Sequence, residues 1–240
     1  MYLNKSILVV ILARGGSKGI KNKNLKKILD KPLIQYSFDQ LKESKLIDDS
    51  ILSSDSNNII KFAKKNGILA PFVRPKNLSG DNAKSEDAVL HAINYLKNND
   101  KIYDYVLLIE PTSPLRTYKD IDGIIKFIIT NKFDTAVSIS NVSNCHPNFM
   151  YTLNRQKIKK SFSSPKFISK RRQNLDKIYF MEGSLYISKV NSFLKNKNFV
   201  SKNSGGYILP KWKSFEIDEP ADIKIIKSLL LNIKEFDHEK

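Results

Sequence analysis

The chain has 240 residues, with 41 Lys and Arg against 24 Asp and Glu for a formal net charge of +17, and 41% of its residues are hydrophobic. That length suits one α/β domain, and the apolar share is enough for a packed interior, which excludes a disordered polyelectrolyte. The charge is compatible with nucleic acid, an anionic membrane or a phosphorylated small molecule, so its local clusters say more than its sum.

Cys145 is the only cysteine, which excludes an intrachain disulfide and a Cys-x-x-Cys metal site. The opening "MYLNKSILVVILA" holds an apolar run of seven residues before Arg14, too short to span a bilayer and without a signal-cleavage pattern. A soluble, cytoplasmic protein with no membrane partner is expected.

In chain order, strand-length apolar runs alternate with helical periods. "SILVVIL" precedes "PLIQYSFDQLKES", where Leu33, Ile34, Ser37, Phe38 and Leu41 share one face. "SILSSD" precedes "NNIIKFAKKNG", "ILAPFVR" precedes "SEDAVLHAINYLKNN", and "DYVLLIE" precedes "TYKDIDGIIKFIITNK". Four βα repeats predict an α/β fold, a mostly parallel sheet covered by helices. Pro32 is expected in the first turn of its helix and Gly67 as a left-handed cap. "DTAVSISNV" reads as a fifth strand.

From Asn141 to Lys177 the chain turns polar and basic, with seven positive charges in "KIKKSFSSPKFISKRRQNL". It reads as an arm inserted into a single domain spanning 1–240, at roughly 141–187. Strand-like "KIYFMEGSLYIS", "GYIL" and "KSFEID" follow, and "EPADIKIIKSLLLNIKEF" closes the chain as an amphipathic helix with Pro220 near its start.

The loop after the first strand, "ARGGSKGIKNKN", holds the sharpest chemical signal. Ligands of open parallel sheets lie beyond the carboxyl ends of the strands. There Gly15 and Gly16 permit backbone N–H groups to face an anion, while Arg14, Lys18 and Lys23 add charge-assisted bonds to phosphate oxygens. Neither the P-loop spacing nor the dinucleotide Gly-x-Gly-x-x-Gly is present. Lys21 reads as solvated surface charge.

Five blocks in order cover nearly the whole chain: "LARGGSKGIKNKNLKKILDKPLIQYS", "VRPKNLSGDNAKSEDAVLHAI", "LLIEPTSPLRTYKDID", "RRQNL" with "YFMEGSLYIS", and "FEIDEPADI". Together they resemble the acylneuraminate cytidylyltransferases, which couple CTP to sialic acid and related nonulosonic acids. The resemblance implies a three-layer α/β/α, Rossmann-like nucleotide-diphospho-sugar transferase fold with a protruding dimerisation arm, and hence a homodimer. It also implies CTP and a nonulosonic acid as substrates, and Mg²⁺ as cofactor. The anomeric hydroxyl of the sugar acid would attack the α-phosphorus and pyrophosphate would leave, a step that rests on cations and positioning.

By motif match, Arg14 and Lys18 would grip the triphosphate and Lys23 would assist pyrophosphate departure. Ala13, Gly15, Gly16, Asn24, Arg74 and Ser85 would contact the nucleotide, Ser85 serving equally well as a helix cap. Glu110, Arg116, Arg172, Gln173 and Glu182 would meet the sugar acid, although Arg116 fits as well in an ion pair with Glu110 or Asp120. The family usually has Gln where this chain has Glu110, Asp in place of Asn174 and Asn in place of Glu182. Its Asp-x-Asp metal pair corresponds to Glu216 and Asp218, expected on one face of a strand, with helix capping by Asp218 and Glu219 as the structural reading. His91, His146 and Cys145 read as structural. The readings that compete are the same fold acting on another sugar acid or base, a catalytically dead relative, and a basic nucleic-acid-binding protein. The last lacks an aromatic-studded basic motif, so no nucleic-acid partner is expected.

Overall fold

The computed structural model describes residues 2–142, 145–161 and 174–236. Its centre is β1 (Ile7–Leu12), flanked in parallel by β4 (Asp49–Ser53) and β5 (Tyr105–Ile109). Beyond β5 lie β9 (Tyr179–Lys189), β6 (Thr135–Asn141) and the edge strand β10 (Ser204–Ile208), giving the order β10-β6-β9-β5-β1-β4. Only β9 runs against its neighbours, so the sheet is mostly parallel, as the βα repeats predict.

Strand β1 shows why its sequence is an unbroken apolar run. Ile7, Val9 and Ile11 enter a core built with α1 (Leu33–Glu43), α2 (Asn57–Lys65) and α4 (Tyr118–Thr130). The alternate residues Leu8, Val10 and Leu12 pack with α3 (Ser85–Lys97) and α5 (Val190–Asn196) on the opposite face. Both faces are covered, which removes polar alternation from the strand and makes three layers. Gly67 follows α2 at φ +78°, as expected of its cap, whereas Pro32 lies just before α1 and closes the small antiparallel pair β2 (Lys27–Ile28) and β3 (Lys31–Pro32).

Three expectations need correction. "ILAPFVR" forms a single parallel bridge, Ile51 to Leu69, rather than a strand, because Pro71 and Pro75 remove donors that a longer ladder would use. "KSFEID" is no strand either: a 3-10 turn at Lys211–Ser214 leads into extended chain tied to the loop after β5 by the Ile217 N–H donating to the Thr112 carbonyl, 2.9 Å. The arm ends earlier than 187, since Tyr179–Lys189 is an interior strand of the sheet. What protrudes is an exposed hairpin, β7 (Tyr151–Asn154) with β8 (Lys157–Lys160).

A third apolar cluster fixes the loops. Ile20 and Ile28 pack with Leu33, Leu115, Ile217 and Ile226, the last on α6 (Pro220–Leu231). It fastens the β1 loop and the segment before α6 to the same edge of the sheet. A short α7 (Ile233–Phe236) follows, where Phe236 stacks on Trp212.

Candidate active site

The carboxyl ends of β1 and β5 open into one cleft with two lobes, both walled by Leu12, Arg14 and Glu110. One lobe, of 270 Å³, is lined by Arg74, the turn Ser79 to Asp81, and Ser85. The other, of 380 Å³, is lined by Lys18, Lys23, Asn24, Thr112 and Asp218. The sequence reading thus assembles residues from four separate segments around one space.

The three cations are all engaged with acids. Arg14 Nη1 and Lys18 Nζ each lie 2.9 Å from a different oxygen of Asp81. Lys23 Nζ donates to the Ile217 carbonyl at 2.9 Å and to Asp218 Oδ1 at 3.0 Å. Lys21 is exposed, as expected of solvated charge.

The loop's glycines act differently from the expectation. The Gly15 N–H donates to Asp55 Oδ1 at 2.8 Å, so it is taken by the protein's own carboxylate rather than turned to a ligand, and a Cβ there would come within 2.9 Å of Ser56 Cβ. Gly16 is exposed with open space around it. Gly19 is the position that packing demands: a Cβ would lie 2.3 Å from the Asp218 carbonyl oxygen. Ala13 is buried, and its N–H extends the sheet to the Ser53 carbonyl, leaving Leu12 to line the cleft. Asn24, also buried, donates Nδ2 to the Arg14 carbonyl at 3.0 Å and so holds the loop's shape as well as lining the cleft.

Arg74 is only 6% exposed, yet its Nε and Nη2 have no hydrogen-bond partner among the described residues. Burial lowers its pKa, against the pull of Asp55 and Glu110. Arg74 lines the first lobe, while these two nitrogens are enclosed rather than open to it. Ser85 is the first residue of α3 rather than its cap, and its hydroxyl points to Glu110 Oε1 at 3.4 Å. Burial pushes the Glu110 carboxyl up, opposed by that hydroxyl and by Lys23, Arg116 and Arg74.

Arg116 is hydrogen-bonded to no acid among the described residues. It is 2% exposed and donates to the Glu110 and Ser184 carbonyls at 3.2 and 3.0 Å and to Ser37 Oγ at 2.8 Å. Asp120 is taken by Lys213 Nζ at 2.7 Å and by the capping box with Thr117. The need for Arg116 arises in β9, whose register against β6 breaks between Val137↔Tyr186 and Ile139↔Met181. Such a bulge frees backbone groups and re-aims side chains. Ser138 accepts the Leu185 N–H, and Arg116 takes the Ser184 carbonyl.

The bulge also buries Glu182, 3% exposed, so it lies beneath the cleft and not on its lining. One of its oxygens accepts from Ser184 and the other has no partner among the described residues. The next residue, Gly183, has φ +91°, and a Cβ on it would sit 1.9 Å from Glu216 Oε1. This glycine therefore lets Glu216 close over β9.

Glu216 and Asp218 lie on extended chain outside the sheet. Glu216 accepts from Ser113 Oγ at 3.1 Å, and its pKa is pushed up to about 7 by burial and by the like charges of Asp218, Glu110 and Glu182. Capping of α6 falls to Glu219 with Asp222, and not to Asp218. Among the described residues no three His, Cys, Asp or Glu side chains group around one metal position. Asp218 lines the second lobe and Glu216 lies behind that lining, against Ser113, so one or both of these hard carboxylates fit the one or two that Mg²⁺ takes when phosphates and water complete its octahedron.

Arg172 and Gln173 lie outside the described residues. Asn174 begins the described part again, exposed. His91 is half-buried, edge-on to Phe72. His146 accepts the Asn148 N–H at the start of a 3-10 turn, and Cys145 is exposed. Asp81 and Asp55 are the site residues that sequence reasoning missed. Both stand in loops with no periodicity, and their partners are far away in sequence.

A cationic loop after the first strand and a cleft at the carboxyl edge of a parallel sheet define a nucleotide-binding α/β protein. The chain belongs to the cytidylyltransferase family, whose model matches residues 8–235. It is 34% identical to the pseudaminic acid cytidylyltransferase of Campylobacter jejuni over 92% of this chain and 95% of that one. It is 32% identical to the CMP-N,N'-diacetyllegionaminic acid synthase of the same species, over 93% and 94% of the two chains. The N-acylneuraminate cytidylyltransferase of Escherichia coli is 29% identical, with 93% of this chain matching 52% of the relative. Among solved structures, CMP:2-keto-3-deoxy-manno-octonic acid synthetase in complex with CTP superposes with a TM-score of 0.71 at 14% identity, covering 95% of this chain and 99% of the other. That likeness identifies the α/β nucleotidyltransferase fold.

Proposed function

We propose that this chain transfers CMP from CTP to the anomeric hydroxyl of a nonulosonic acid, releasing pyrophosphate. The observation that carries the reading is the two-lobed cleft, with Arg74 and Ser85 lining one lobe and Lys18 and Lys23 the other, joined at Arg14. A pyrimidine offers ring and carbonyl acceptors to Arg74, and the triphosphate then runs along the cations. Arg14, at the junction, faces the α-phosphate, and Lys23 draws off the leaving pyrophosphate. The relatives named for pseudaminic and legionaminic acids support a sugar acid as acceptor. Arg172 and Gln173 are the proposed partners of its carboxylate, for which a guanidinium fork is suited. Glu110 faces the cleft where a sugar hydroxyl donor would meet it.

Glu216 and Asp218 would hold Mg²⁺, which when bound neutralises triphosphate charge. With CTP, Mg²⁺ and a panel of sialic, legionaminic and pseudaminic acids, pyrophosphate release is expected with at least one acid and only with the metal. Metal binding must remove the proton that Glu216 keeps below pH 7, so the Mg²⁺ requirement should rise as pH falls from 8 to 6. No release with any acid would sink the transferase reading.

The protein is proposed to act in the cytoplasm as a homodimer. No helix among the described residues is long and apolar enough to cross a membrane. Leu153 is 72% and Ile158 69% exposed on a two-stranded hairpin, and such a hairpin is marginal alone in water. Pairing with a second copy would cover both. Light scattering is expected to show a dimer that Leu153→Lys with Ile158→Lys converts to monomer; an unchanged mass would place the interface elsewhere.

A further inference from the structure

Arg14 and Lys18 belong to the loop after β1, whereas Asp81 belongs to the turn that precedes α3 on the opposite wall of the first lobe. One carboxylate spans the two cations, Oδ1 taking Arg14 Nη1 and Oδ2 taking Lys18 Nζ, each at 2.9 Å. Two oxygens on one centre, each meeting a separate cation, is the arrangement that two oxygens of a phosphoryl group would make with the same pair. Both cations also face the cleft, so a polyphosphate that needs them must first take them from Asp81.

We infer that Asp81 is an internal substitute for the substrate's phosphates: it holds Arg14 and Lys18 in the free protein, yields them to CTP, and competes for them again with the departing pyrophosphate. The inference rests on the reading that this cleft binds CTP.

The exchange is feasible because Asp81 offers one negative charge and a triphosphate several. It is not free, because the Arg14 and Lys18 bonds to Asp81 are subtracted from what the nucleotide gains. Lys18 and Arg14 hold the Asp81 carboxyl below the usual carboxylate range, so it stays ionised and competes throughout neutral pH. After transfer, pyrophosphate must leave the same cations. A carboxylate tethered beside them is present at high effective concentration and favours that departure. Asp81 thus exchanges some affinity for CTP against faster clearance of the product.

The test is calorimetric titration of the full chain and its Asp81→Asn and Asp81→Glu variants with CTP, inorganic pyrophosphate and cytidine. Two exposed ion pairs correspond to a change of about 3- to 10-fold. Asp81→Asn is expected to tighten CTP and pyrophosphate by that factor and to leave cytidine, which has no phosphate, unchanged. Asp81→Glu should bind all three like the parent. In turnover, Asp81→Asn should lower the KM for CTP and strengthen product inhibition by pyrophosphate without raising kcat. Weaker or unchanged binding of CTP and pyrophosphate by Asp81→Asn would overturn the inference, and so would altered cytidine binding. A parent chain that binds CTP but transfers CMP to no sugar acid refutes the transferase reading and leaves the exchange at Asp81 to be judged on its own titrations.

Discussion

Replacing Arg14 by alanine is expected to lower kcat by about 10²- to 10³-fold, the range for removing one donor aimed at charge that develops in a transition state. CTP affinity should fall far less, for a reason visible in the free protein. Arg14 is already paired with Asp81, so the ground state gains from CTP only the difference between two carboxylate-like partners. In the variant that pair no longer has to be broken, which offsets part of the lost phosphate contact. The transition state has no such offset, because negative charge grows on the α-phosphoryl and leaving oxygens after Asp81 has been displaced. Steady-state kinetics with pyrophosphate detection, alongside a directly measured Kd for CTP, separate the two quantities. An unchanged kcat with a large rise in Kd would show that Arg14 only anchors the nucleotide.

What the sequence made legible follows from where its signals are local. The β1 run, the helical faces of α1 and α4, and the Gly67 cap depend on residues near one another, and each appears where its pattern predicts. The cationic loop was legible for the same reason: it follows the first strand of a parallel sheet. Roles that depend on distant partners were not. Gly15 has the composition of an anion-binding turn, but Asp55 claims its N–H. Arg116 follows a strand end as a ligand-binding arginine would, but a bulge in β9 requires it inside. "ILAPFVR" lies beside the free edge of β4, but its prolines stop the ladder at one bridge, and "KSFEID" is tied to the loop after β5 rather than to a strand. Asp81 had no local signal beyond its turn, since the cations that define it lie across the cleft.

Arg116→Met is expected to destabilise the fold by about 3–5 kcal/mol, the usual loss when a buried charge is removed from partners that remain. The side chain is not holding one carboxylate that could reorganise. Its guanidinium joins the carbonyl at the end of β5, the carbonyl at the β9 bulge, and Ser37 on α1, so three elements lose a shared donor at once. Glu182 raises the loss further, because it is the strongest of the acidic charges acting on Arg116 and one of its oxygens has no hydrogen-bond partner among the described residues. Lysine should restore little of this: a single ammonium cannot reproduce the planar fork that spans two carbonyls and a hydroxyl. Urea denaturation at neutral pH, followed by circular dichroism, measures the change, and a shift in midpoint with an unaltered slope would confirm a stability effect. The double variant Arg116→Met with Glu182→Gln should recover part of the loss by removing the stranded charge. If Arg116→Met instead kept full stability and lost only activity, the arginine would have to leave its buried position to meet substrate, contrary to the packing that the β9 bulge imposes.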